Sequence, residues 1–322
     1  MTATVLATGA ASGRCSLKLM YEHMSIQWFP GHMTKARRMI AENIKLVDAV
    51  CEIIDARIPF SSRNPDLDEM TGGKPRLIIL NRSDQADPDE TRKWAARFRA
   101  GGAAVLETDS KSGKGVGGLP AAIQTLLAAR IEYYASKGQS GRRLRIMVAG
   151  IPNVGKSSFI NRAAGRKAAA ASDKPGVTRG KQWINIDGAL ELLDTPGVLW
   201  PRFENQTVAL NLAFTGAIKD DILDTETLGA NLMLHLKEFY PERLAQRYKL
   251  DIPGEISGFD LLEQAAKKRG YLVSGGESDL NRMAAVLLDE FRGGKLGRVT
   301  LEVACGEERG ERREESVKGR YV

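Results

Sequence analysis

The chain has 322 residues, 43% apolar and 27% charged, with a formal net charge of +7. That length supports a sizeable core and two domains, and no stretch approaches the roughly 20 apolar residues of a membrane-spanning helix. Cys15, Cys51 and Cys305 fit neither a zinc spacing nor a disulfide framework, which favours a reducing, cytoplasmic setting. A pI near 9.3 is compatible with a polyanionic partner and equally with a merely solubilising surface.

Residues 1–23 are rich in Ala, Thr, Ser and Gly; they read as a disordered extension, with a transit segment as the alternative. Trp28-Phe-Pro-Gly-His32-Met-Thr-Lys35-Ala-Arg37-Arg38 then leads into a helix expected from about Met33 to Leu46. Ala36, Met39, Ile40, Asn43, Ile44 and Val47 share one face, with Lys35, Arg38 and Lys45 largely elsewhere. Such a helix suits RNA phosphates and bases, or simply packs on the next element. His32 beside the turn is, on the residues alone, as consistent with a structural role as with a catalytic one.

A buried strand over 49–55 ends in Asp55-Ala-Arg57-Ile-Pro59, and turn residues follow to Pro65. A second strand, 76–80, runs into Asn81-Arg82-Ser83-Asp84, the N-[KR]-x-D pattern of guanine-nucleotide proteins. A carboxylate there accepts from both the N1–H and the exocyclic amine of guanine, a pairing adenine cannot offer, and the Asn can meet N7. After a helix at about 91–99 and a strand at 103–106 comes Thr108-Asp109-Ser110-Lys111-Ser112-Gly113-Lys-Gly115. It resembles the loop whose backbone N–H meets the guanine carbonyl oxygen, with Asp109 and Ser110 departing from its commonest side chains. A helical segment over 119–136 and a basic joint, 137–143, close this half.

The apolar run 144–149 enters Gly150-Ile-Pro-Asn153-Val154-Gly155-Lys156-Ser157 and then a helical segment from Ser158. G-x-x-x-x-G-K-S between a strand and a helix is a phosphate loop: its N–H groups converge on a phosphate, and the helix N-terminus adds positive potential. Lys156 would reach the β- and γ-phosphates and Ser157 would hold Mg²⁺. The loop at 168–180 offers the Thr178 hydroxyl to Mg²⁺ and the γ-phosphate. Two strands, 181–186 and 189–193, are joined by an Asp187-Gly188 turn. The second ends in Asp194-Thr-Pro-Gly197, where Asp194 would bind Mg²⁺ through water and the Gly197 amide would sense the γ-phosphate. Val198 follows, where many signalling GTPases carry a Gln that orients the attacking water, so the catalytic group must come from elsewhere.

Beyond about Glu204 strand patterns give way to helical segments at about 204–218, 226–250, 258–269 and 278–292. Lys267, Lys268, Arg269, Arg282, Arg292, Lys295 and Arg298 form either a phosphate-binding surface or scattered solvated charges. The tail from Gly306 is mixed in charge and reads as disordered. The division is 1–23 extension, 24–203 nucleotide domain, 204–305 helical RNA-binding domain and 306–322 tail. Because the base-reading motifs precede the phosphate loop, the fold expected is α/β, a doubly wound, mostly parallel sheet in a circularly permuted phosphate-loop GTPase domain, followed by a smaller helical domain.

Trp-Phe-Pro-Gly-His-Met, Asp-Ala-Arg-Ile-Pro, Asn-Arg-Ser-Asp, Gly-Ile-Pro-Asn-Val-Gly-Lys-Ser, Pro-Gly-Val-Thr and Asp-Thr-Pro-Gly-Val-Leu-Trp-Pro together resemble the ribosome biogenesis GTPase A family over about residues 25–300. The resemblance implies GTP hydrolysis stimulated by the large ribosomal subunit precursor, with rRNA and ribosomal proteins as partners of a monomer. It implies His32 and Lys156 as catalytic groups, with GTP held by Asn81, Arg82, Ser83, Asp84, Asp109, Ser110, Asn153, Val154, Gly155, Lys156, Ser157, Ser158, Thr178 and Gly197. Asn153 matches the phosphate-loop Asn of K⁺-dependent GTPases, and so implies a K⁺ ion. Alternatives are an RNA-binding scaffold that uses GTP as a structural ligand, or the mitochondrial-ribosome counterpart.

Overall fold

The computed structural model describes residues 24, 26–28, 31–165 and 183–304. Six strands, β1 (Ala49–Asp55), β2 (Arg76–Asn81), β3 (Ala104–Glu107), β4 (Leu144–Ala149), β5 (Trp183–Ile186) and β6 (Leu190–Asp194), form one sheet in the order β3-β2-β1-β4-β6-β5. Every neighbouring pair is parallel except β5 with β6. Parallel strands must be covered on both faces, and β1 is buried at all seven positions.

Around the sheet lie α1 (His32–Asn43), α2 (Leu67–Met70), α3 (Pro88–Ala100), α4 (Leu119–Leu126), α5 (Ala128–Ser136) and α6 (Lys156–Ala163). The alternation of side chains sorts them. Cys51 and Ile53 meet α4 and α6 through Leu119, Ile123, Phe159 and Ile160. On the other face Val50 meets Ala36 and Ile40 of α1, and Ile54 meets Trp94, Ala95 and Phe98 of α3. Helix α1 therefore buries its apolar face on the sheet and leaves Lys35 and Arg38 exposed, as is Lys45 in the 3-10 turn that follows it.

Several boundaries differ from expectation for identifiable reasons. Helix α3 starts earlier, because the Asp87 side chain caps the Asp89 and Glu90 N–H groups and Pro88 suits the first turn. The helical run 119–136 breaks at Leu127, and the run 226–250 breaks at Tyr240, ahead of Pro241. The β5–β6 turn has positive φ at both Asp187 (48°) and Gly188 (74°), as a tight hairpin requires.

Counting strands from β4 instead of β1 turns the sheet order into 6-5-4-1-3-2, so the permuted connectivity leaves a doubly wound sheet intact. The order in which successive strands are added reverses between β1 and β4, which run parallel, and the crevice at their carboxyl ends is where ligands of such sheets bind.

Helices α7 (Gln206–Phe214), α8 (Thr225–Phe239), α9 (Pro241–Tyr248), α10 (Gly258–Arg269) and α11 (Leu280–Arg292) follow, their core continuous with one face of the sheet. From α11 the chain returns as a strap, 298–304, laid over the base-reading half. Leu301 N–H donates to Arg57 O (2.7 Å), and the Glu302 carboxylate accepts from Phe60 N (2.6 Å) and Asn211 Nδ2 (3.0 Å). Burial raises the Glu302 carboxyl above its ordinary range despite those bonds.

One buried pair fixes this junction. Arg57, 1% exposed, donates to both Asp55 oxygens (2.9 and 2.7 Å) and to Phe291 O at the end of α11 (3.0 Å). Burial alone would raise the Asp55 carboxyl, but the charges of Arg57 and Arg82 and the Arg57 bonds hold it below its ordinary range. Truncating Arg57 to Ala strands a buried carboxylate and is expected to destabilise the fold by about 3–5 kcal/mol in urea unfolding, with Arg57→Lys recovering only part.

Candidate guanine-nucleotide site

The phosphate loop, 150–157, joins β4 to α6 at the crevice. Gly155 has φ +93°, and a Cβ there would stand 2.5 Å from Asn81 Nδ2, so no other residue fits. Helix α6 has no side-chain cap, which leaves its first-turn N–H groups for an anion. Lys156 is buried and donates to Gly150 O (3.2 Å) and Ile151 O (2.6 Å). Burial lowers its ammonium to about 8, against the opposing pull of Asp194.

Asp194, at the end of β6, is the complementary charge. Burial raises its carboxyl, partly offset by Lys156 and the Thr195 N–H, and its Oδ1 is buried without a hydrogen bond among the described residues. An orphaned carboxylate oxygen at the end of β6, the strand against the helix whose first turn carries the half-buried Ser157, fits a hard cation such as Mg²⁺, which would neutralise the β- and γ-phosphates. Thr178 lies outside the described residues. Gly197 rests on the phosphate loop: a Cβ there would lie 2.7 Å from Pro152 Cα, and Val198 N–H donates to Gly150 O (3.3 Å).

Val198 is itself buried against Ala36 and Ile40 of α1, so the position after Gly197 faces the core. Its carbonyl accepts from Asn64 Nδ2 (3.0 Å). The His32 backbone opens α1, and its side chain lies outside the described residues.

At the base end, Asn81 serves as a strut. Its Nδ2 donates to Val154 O of the phosphate loop (2.7 Å), and its Oδ1 accepts from Ser110 N (3.1 Å) and Oγ (2.7 Å) and from Thr108 Oγ1 (3.2 Å). One N–H of the Asn81 amide and the Ser110 N–H thus join three loops, and the second Asn81 Nδ2 hydrogen stays available to a base. Asp109 accepts from Lys111 N (2.8 Å); bonds from Ser112 and Lys111 outweigh the effect of burial and lower its carboxyl. Asp84 is exposed on the turn, as is Ser158 on α6. Arg82, with φ +60°, donates to Asn153 O (2.9 Å) and lies 3.5 Å from Asp55, so its head group braces the phosphate loop. Asn153 donates through Nδ2 to Gly216 O (2.5 Å), and its Oδ1, the atom a K⁺ ion would need, has no hydrogen bond among the described residues.

Four of the seven cations named from sequence are bonded within the protein. Arg269 binds Glu290, Arg292 binds Asp220 and Phe214 O, Arg298 binds Ser83 O and Ala86 O, and Lys267 pairs with Glu263. Each of these bonds holds the guanidinium or ammonium against the protein's own carbonyls and carboxylates. Asn64 and the strap were not visible as site elements; the Asn64-Pro65 turn is the only local signal for the first, and spacing carries none for the second.

The family described as 50S ribosome-binding GTPase matches residues 145–249. Ribosome biogenesis GTPase A of Bacillus cereus is 45% identical over 296 residues, 92% of this chain and 99% of its own. The chain belongs to the ribosome biogenesis GTPase A family. It is a GTP-binding and GTP-hydrolysing protein of ribosome biogenesis, with the α/β phosphate-loop GTPase fold. Mitochondrial ribosome-associated GTPase 1 of Mus musculus is 33% identical, covering 87% of this chain and 91% of its own. The solved GNP-bound YlqF from T. maritima superposes with a TM-score of 0.59 at 27% identity, over 84% of this chain and 98% of that one.

The lowered Lys156 sets a pH dependence. Binding of the β-phosphate, in GDP as in GTP, requires the ammonium, so a group with a pKa of about 8 before binding must take up a proton above that pH. Affinity for GDP is expected to be flat near pH 7 and to fall above pH 8, approaching about tenfold per unit, in fluorescence titrations from pH 7 to 9. Lys156→Gln should bind weakly without that slope.

Proposed function

We propose that the protein hydrolyses GTP on the precursor of the large ribosomal subunit, contacting rRNA and ribosomal proteins, and acts as a cytoplasmic monomer. The observation that carries this reading is the single bonded unit made by Asn81, Val154 and Ser110, which ties a guanine-type turn to a phosphate loop beside Asp194. Residues 24–203 form the nucleotide domain and 204–305 the particle-binding one. Exposed Lys35 and Arg38 on α1, Lys45 in the turn after it, and Lys268, Arg282 and Lys295 are cations placed to face rRNA phosphates. Among the described residues no helix is long and apolar enough to cross a membrane.

The burial of Val198 under α1 supports His32 as the group that replaces Gln, because the helix it opens packs on the residue after Gly197. On this reading the ribosomal precursor orders the segment 28–33 over the γ-phosphate, while Ser157, Thr178 and Asp194 hold Mg²⁺. Asn153 Oδ1 would accept a K⁺ ion at the phosphate loop.

Single-turnover hydrolysis with and without large-subunit precursor tests the proposal. Stimulation by the particle is expected, and equal rates would instead favour a scaffold using GTP as a structural ligand. His32→Ala should lose the stimulated rate by about 10²-fold or more while GTP affinity barely moves; unchanged stimulated turnover removes the role. Hydrolysis should be faster in KCl than in NaCl at equal ionic strength, and Asn153→Ala should erase the difference.

A further inference from the structure

We propose that Arg298 is a positioning residue for guanine recognition: from the strap it holds the turn that carries Asp84. This rests on the reading of Asp84 as the base-reading carboxylate. Arg298 donates through Nη2 to Ser83 O (2.9 Å) and through Nε to Ala86 O (3.0 Å), the carbonyls on either side of Asp84 in the chain. Its neighbours continue the grip. Val299 N–H donates to Gln85 O (2.8 Å), and Asp87 N–H donates to Thr300 Oγ1 (3.0 Å). Residues 298–300 therefore engage main-chain groups of Ser83, Gln85, Ala86 and Asp87.

The turn has few anchors of its own. Ser83 N–H donates to Thr108 O (3.1 Å) and Gln85 N–H to Arg82 O (2.9 Å), and Asp84 is exposed. A carboxylate that must accept from two donors on one base edge works only if the backbone beneath it is fixed to a fraction of an ångström. A guanidinium can bridge two carbonyls at once with its planar fork; an ammonium cannot do so with the same geometry. The Arg298 carbonyl in turn accepts from Arg243 of α9, so the same brace runs into the helical part of the chain. A partner that displaces α9 or the strap would loosen the hold on the turn that carries Asp84.

The test compares GDP with IDP, whose base lacks the exocyclic amine, using fluorescent derivatives of both and the full chain. Arg298→Ala is expected to weaken GDP by about tenfold and IDP by less, narrowing the GDP-over-IDP preference by about threefold or more, with Arg298→Lys intermediate. A parental preference in Arg298→Ala overturns the inference, whatever happens to thermal stability or to overall affinity. Should Arg298→Ala fail to fold, Arg298→Lys carries the same comparison. Asp84→Asn, which presents an amide donor to the two guanine donors, separates the two readings. If it abolishes the preference while Arg298→Ala keeps it, only the role of Arg298 fails; if Asp84→Asn keeps the preference, Asp84 is not the base reader and both fail.

Discussion

The buried Asp55–Arg57 pair is the constraint to which the parts of this molecule answer. Two charges removed from water are tolerable only when every remaining donor finds a partner. Arg57 meets that condition by reaching past Asp55 to the carbonyls of Phe291 and Arg292 at the end of α11. The last carbonyls of a helix carry partial negative charge and favour a cation there. Arg82, 3.5 Å from Asp55, adds the base-reading turn to the same cluster. One ion pair thus joins the end of β1, the guanine turn and the helices.

Asn81 makes the corresponding link inside the nucleotide site. With its amide shared between Val154 and Ser110, the base-reading and phosphate-reading loops move as one piece. The close approach of Gly155 to Asn81 and of Gly197 to Pro152 shows how little room separates those loops. A site assembled this way recognises a whole nucleotide, because neither end can be displaced without disturbing the other.

Permuted connectivity changes what the helices touch. By chain order they follow the Asp194–Gly197 segment. In space their bonds with the nucleotide half include those to Arg57 and Arg82, to Phe60 and Ser61, to the 83–87 turn through the strap, and to Asn153 through Gly216. Helix α1 packs on Val198, next to that segment. Two different helical elements therefore flank the two ends of the nucleotide crevice.

The phosphate loop, the guanine turn, the strands beneath them and their permuted order were all legible in the residues. Each is local: a Gly-rich turn after a β-branched run specifies its own backbone, and period-two or period-3.6 apolar patterns specify burial. Helix breaks at Leu127 and Tyr240 escaped because continuous apolar periodicity runs across them. The partners of long polar side chains escaped for a stronger reason. Arg269, Arg292 and Arg298 read as surface cations, yet each lies against carbonyls or carboxylates distant in the chain, Arg292 bonding Phe214 O and Arg298 bonding Ser83 O. A cation's spacing says nothing about which distant carbonyl folding brings within 3 Å of it. Sequence determined what chemistry this protein carries; tertiary structure decided which charges serve it and which hold the molecule together.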